Sequence, residues 1–90
     1  GNVGEVTLYP FGTVRELAKC EYFTTELINI DGNVGIYDDD GFISLIVLDG
    51  DITMSYPDGM MHLKKGSSVF IPAGLKTRLS GKAQIIYTHM

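Results

Sequence analysis

Few side chains in this 90-residue chain are of a type that does chemistry. His62 and His89 are the only imidazoles, and an imidazole can act as a general base near neutral pH. They stand far apart, His62 in an alternating segment after the Pro57-Asp58-Gly59 turn and His89 beside the C-terminal methionine. Neither has a carboxylate at a matching motif position, so surface positions are expected for both. Cys20 is the single cysteine and cannot close an internal disulfide, which fits a reducing compartment. As a nucleophile it would need a base and an orienting group; beside Tyr22 and Phe23 a packed, inert thiol is expected. Asp38-Asp39-Asp40 could offer carboxylate oxygens to a hard cation. Gly41, Phe42 and Ile43 supply none of the further oxygens such a loop requires, so the run reads as an acidic, solvated turn before a buried strand. Lys64-Lys65 and Lys76 with Arg78 could attract a sugar phosphate. The simpler expectation is a solvated strand edge, on which lysine discourages pairing with other chains.

The scaffold that must position these groups is small. Ninety residues make one domain, residues 1–90, which buries only about 60–65% of its unfolded surface, so the core has to be efficient. A composition that is 44% apolar and 20% charged allows this. Seven basic against eleven acidic residues give a charge of -4, and the cations are scattered, so a nucleic-acid surface is not expected. The most apolar run, Leu45–Leu48, is far too short to span a membrane. With no leader pattern at the start, a cytoplasmic location is expected.

Turn residues punctuate the chain at short intervals: Gly12, Asp31-Gly32, Asp49-Gly50, Pro57-Asp58-Gly59, Lys65-Gly66, Pro72-Ala73-Gly74 and Ser80-Gly81. Segments rich in β-branched and aromatic residues lie between them, which predicts an all-β sandwich or barrel. Phe42–Leu48 is apolar on nearly both faces, so it reads as a central strand covered on each side. Asp49-Gly50 then reads as a hairpin turn into Ile52–Tyr56. Thr13–Lys19, with Thr13 and Glu16 as a capping box, is the one helix candidate, an ordered loop being the alternative. Met54, Met60 and Met61 with Tyr56 form either an adaptable apolar patch or core filling.

Gly66-Ser67-Ser68-Val69-Phe70-Ile71-Pro72-Ala73-Gly74 has the form G-x5-P-x-G, a strand ended by a turn that cannot continue a ladder. It resembles the second signature motif of the cupins, which implies a small all-β jelly-roll, or double-stranded β-helix, barrel. Phe42–Gly50 then resembles the end of the first cupin motif, with Gly50 as its terminal glycine. In that alignment Ile43 takes the position of the family's metal-binding glutamate. The two histidine positions fall on Tyr37 and Asp39, or on Ile36 and Asp38, and the histidine position of the second motif falls on Thr77. At most one carboxylate remains where three or four ligands are needed, so the resemblance implies a barrel with no metal, no cofactor and no catalytic residue of its own.

A narrower resemblance covers more of the chain. Cys20-Glu21-Tyr22-Phe23, Phe42–Gly50 and Lys64-Lys65-Gly66 through Gly74 look like the C-terminal domain of type I mannose-6-phosphate isomerases. Residues 20–90 would form the degenerate cupin barrel, and residues 1–19 an N-terminal strand and entry segment. The resemblance implies an inactive accessory domain whose partner is a catalytic cupin holding the family's zinc, the parent reaction interconverting mannose 6-phosphate and fructose 6-phosphate. The alternatives are a free-standing, metal-free cupin that binds a small sugar or acid, and a structural module that dimerises with itself.

Overall fold

Alternating inward residues build the fold one strand at a time. The computed structural model describes residues 4–90, so residues 1–3 of the expected entry segment lie outside the described residues. The strands are β1 (Val6–Tyr9), β2 (Gly12–Lys19), β3 (Thr24–Ile36), β4 (Ile43–Tyr56), β5 (Gly59–Lys64), β6 (Ser68–Ile71) and β7 (Thr77–His89). Every pairing is antiparallel, in the order β1-β2-β3-β7-β4-β5, with β6 on the start of β4. The all-β expectation holds, and none of the described residues is helical.

Thr13–Lys19 is therefore a strand rather than a helix or a loop: within β2, Thr13 pairs with Asn29 and Glu16 with Glu26. A segment this short cannot offset the cost of helix nucleation, whereas β3 offers it a ladder along its whole length.

Three of the expected turns are also corrected. Asp31-Gly32, Asp49-Gly50 and Ser80-Gly81 lie inside β3, β4 and β7, which are 13, 14 and 13 residues long. At about 3.3 Å per residue each of these would run to more than 40 Å if straight, yet the longest extent of the molecule is 35 Å. They must bend, and they do so where their glycines meet: Gly32 pairs with Gly81, Gly81 with Ile52, and Gly50 with Ala83. Gly50 has φ +78°, and a Cβ there would run into the backbone oxygen of Lys82; at Gly81, φ +137°, a Cβ would lie 2.9 Å from the backbone oxygen of Asp51. The same positive φ that marks a turn here marks a crease where a continuous sheet folds over.

β4 carries a second device. Its buried residues are Ile43, Leu45 and Val47 before the crease, then Ile52 and Met54 after it. The inward set changes from odd to even because the register with β7 slips between Val47 and Asp49, leaving Leu48 as the extra residue of a bulge. β3 and β7 keep one parity throughout, with Ile28, Ile30 and Ile36 in the former and Leu79, Ala83 and Ile85 in the latter.

These side chains, with Leu63 and Ile71, make one core between the two halves of the folded sheet. Val14 of β2 packs against it. The expectation that Phe42–Leu48 is covered on both sides fails on its outer side. Phe42, Ile46 and Leu48 remain 39%, 42% and 40% exposed, because no described element crosses that face.

Candidate functional site

Barrel folds of this kind bind ligands at the open end of the lumen, opposite the crease, where the ends of β3, β4 and β7 converge. The positions matched to metal ligands lie there. Ile43 is completely buried, Ile36 and Thr77 are buried, and the Thr77 hydroxyl donates to the Ile36 carbonyl at 2.8 Å. Tyr37 is exposed, with the Lys76 ammonium 5.4 Å from its ring centroid, and Asp39 is exposed. Asp38 is half-buried, and its Oδ1 accepts from the Asp40 amide at 2.8 Å. Two isoleucines and a hydroxyl already committed to a carbonyl do not fit a transition metal. Among the described residues no group of three or more His, Cys, Asp or Glu side chains is arranged to hold one.

The interior is filled rather than hollow. Ile30, Ile43, Leu45, Val47, Ile52, Ile71, Leu79 and Ile85 are all at or below 2% exposure. A lumen packed with branched aliphatics gives a sugar neither space nor hydrogen bonds.

Sequence reasoning missed a polar cluster at the rim of this core. His89, expected at the surface, is the last residue of β7, and the register sets it beside Ile43 of β4 and Thr24 of β3. Its Nε2 lies 3.2 Å from Glu26 Oε1, its Nδ1 lies 3.2 Å from the Met90 carbonyl, and its ring tilts against Tyr87 at 5.0 Å. Both ring nitrogens are thus engaged within the chain. Pairing also sets Glu26 opposite Glu16 on one side and Tyr87 on the other. The only signal that could have found the cluster is the pairing of β3 with β7, which joins residues far apart in sequence.

Two predictions arise here. Burial first, then the carboxylates of Glu26 and Asp38, push the Tyr87 hydroxyl up to about 12. The neutral phenol is the form the fold favours, so this contribution is intact below pH ~10 and is lost as the pH rises toward ~12, because the unfolded chain releases its proton first. In Tyr87→Phe the alkaline fall in stability between these limits should shrink by roughly 1 kcal/mol, allowing for the solvent that reaches the ring. Tyrosinate absorbance and urea titrations over that range measure it.

The second concerns Glu16, whose Oε2 is buried without a hydrogen-bond partner while facing Glu26 in register. Like charges directly opposite destabilise a strand pair, and an amide there gains a donor toward Glu26. Glu16→Gln should stabilise the fold by about 1 kcal/mol, read as a higher urea midpoint; a lower midpoint would refute it.

The remaining candidates are dispersed. His62 is exposed, 3.6 Å from the exposed Asp51. Cys20 is exposed rather than packed, its amide bonded to the Phe23 carbonyl at 2.9 Å. Met54 fills the core, while Met60 and Met61 are exposed on β5, so the methionines do not act together.

The outer face of the first half-sheet is the other notable feature. Phe70 of β6, 61% exposed, stacks on Phe42 at 4.8 Å between centroids. By register Phe42, Ser44, Ile46 and Leu48 share this side, and Ile46 continues across the ladder to Ile86 and Leu27. No helix among the described residues is long and apolar enough to span a bilayer.

Comparison with known proteins agrees with this architecture. The family described as "Mannose-6-phosphate isomerase, cupin domain" matches residues 13–90. YvyI of Bacillus subtilis (strain 168), provisionally named a mannose-6-phosphate isomerase, is 27% identical over 79 residues, which are 87% of this chain and 25% of that protein. The chain thus spans about a quarter of the length of the curated relative it matches. The crystal structure of the mannose 6-phosphate isomerase from Bacillus subtilis superposes with a TM-score of 0.83 at 24% identity, covering 100% of this chain and 29% of that one. KdgF from Halomonas sp. superposes with a TM-score of 0.84 at 11% identity, covering 94% and 85% of the two chains. These superpositions are likenesses of fold.

Proposed function

Because the chain belongs to the family of mannose-6-phosphate isomerase cupin domains, we propose that it is a non-catalytic accessory domain of such an enzyme. Its partner in this reading is a catalytic cupin, which carries the family's zinc and interconverts mannose 6-phosphate and fructose 6-phosphate in the cytoplasm. The observation that carries the reading is the uncovered outer face of β4 and β6. A strand whose inner face is filled by Ile43, Leu45 and Val47 also presents Phe42, Ile46 and Leu48 to solvent, with Phe70 stacked beside them. Apolar area of this kind marks a contact surface, and the catalytic part of the enzyme is its natural cover, given that the curated relative is about three and a half times as long. The filled lumen and the occupied nitrogens of His89 argue against chemistry or small-sugar binding inside the barrel.

The chain would supply scaffold and interface, and the proton transfer would run on the other domain. The test is to combine the chain with a separately produced catalytic portion of a family isomerase. The expected result is an equimolar complex, with no mannose 6-phosphate turnover by this chain alone in the presence of zinc. Turnover by the isolated chain would overturn the reading, and so would a catalytic portion that ignores it. Self-association through the same face would favour the dimerisation module instead.

A further inference from the structure

A second surface, on the opposite half of the folded sheet, has the makings of an anion site. A groove of about 560 Å3 runs between the end of β3, the end of β4 and the start of β7. Its cations are Lys76 and Arg78, its aromatic walls are Tyr37 and Tyr56, and no carboxylate lines it. Among the described residues neither cation is neutralised by a carboxylate: the ion pairs are His62 with Asp51 and His89 with Glu26. The groove therefore keeps a positive local charge in a chain whose net charge is -4. The nearest acids in sequence do not line it. Asp38 turns its Oδ1 to the Asp40 amide and acts on Tyr87 at the rim, and Asp58 sits in the β4–β5 turn.

Both cations are held in place by neutral partners. Arg78 Nη1 donates to Asn33 Oδ1 at 2.6 Å, and the guanidinium lies across Gly35, where a Cβ would come within 3.4 Å of Nη2. Lys76 is held over the Tyr37 ring. A guanidinium fixed by one nitrogen is already ordered while its other donors stay uncommitted, which lowers the ordering cost of binding an oxyanion. We propose that this groove binds a phosphate or phosphate monoester, with Arg78 and Lys76 on the oxygens and Tyr37 and Tyr56 flanking whatever the phosphate is attached to. The proposal is independent of the docking face, which lies at the other end of β4.

The experiment is amide chemical-shift mapping of the chain with inorganic phosphate, mannose 6-phosphate or mannose, at constant ionic strength. Phosphate should move the amides of Tyr37, Tyr56, Lys76 and Arg78 saturably. Arg78→Gln and Lys76→Gln should each weaken it by about tenfold, the ordinary worth of a charge-assisted hydrogen bond. Asn33→Ala, which keeps both charges but releases the guanidinium, should weaken it less. Lys64→Gln with Lys65→Gln, remote from the groove, should have no effect. Equal affinity for the two phosphate compounds means the site reads the anion alone; tighter mannose 6-phosphate means the tyrosines read the carrier as well. The proposal is overturned if shifts spread equally to Lys64, Lys65 and Lys82, if neutral mannose binds as well as the phosphates, or if Arg78→Gln leaves the affinity unchanged.

Discussion

Gly50→Ala is expected to remove about 3 kcal/mol or more of stability. Two costs combine there. The backbone has φ +78°, which a side chain tolerates poorly, and the new Cβ would press on the backbone oxygen of Lys82 in the paired strand. Backbone cannot step aside as a side-chain tip can, so the crease itself must open. For a chain of this length total stability is roughly 5–13 kcal/mol, so about a quarter to more than half of it is at stake. Gly74→Ala separates the two costs: φ is +82°, yet nothing lies within 4 Å of the added Cβ. That variant should lose only about 1 kcal/mol. Urea midpoints at unchanged m-values measure both, and equal losses would mean that the strands do not pack closely at the crease.

The second large effect concerns association rather than folding. Phe42→Ser combined with Phe70→Ser should leave the isolated chain folded, at a cost of about 1 kcal/mol for the lost ring stack. Binding to the catalytic portion should fall by about 100-fold or more, because paired aromatic anchors at the centre of an interface carry much of its energy. Leu8→Ser offers a matched control: Leu8 is 77% exposed on β1, at the far edge of the sheet, four strand positions from β4. Calorimetric titration separates the cases. If the Leu8 variant binds as weakly as the double variant, the docking face has been misplaced; if only self-association is lost, the surface is a homodimer contact.

What could be read from residues, and what could not, divides along a physical line. Local chemistry was legible where it acts alone. The strand implied by the G-x5-P-x-G motif is β6, Pro57-Asp58 closes the β4–β5 hairpin, and Gly74 turns the chain after Pro72. The glycines at 32, 50 and 81 were misread because a tight turn and a barrel crease make the same demand on φ; only the partner strand decides between them. The Thr13–Glu16 pair satisfies a capping pattern as readily as it satisfies β2. Leu48 hid a parity change as well, since a bulge leaves no residue-type signature when both faces of the strand are apolar. The rim cluster of Glu26, Tyr87 and His89 depends on long-range register alone, so no motif announces it. The absence of ligand side chains at the cupin positions was readable directly, because it needed only identities at Ile36, Ile43 and Thr77.

The placement of β7 has a consequence for how the molecule comes into being. It pairs with β3 along one edge and β4 along the other, and these are the two longest ladders in the sheet. Until β7 has been synthesised, β3 and β4 have no common neighbour, and the core residues they carry face water or a chaperone. At about 5–20 residues per second the 13 residues of β7 take roughly 1–3 seconds to emerge. During that interval the nascent chain holds two long, unpaired strand edges, and closure on the last strand is a single late event rather than a progression.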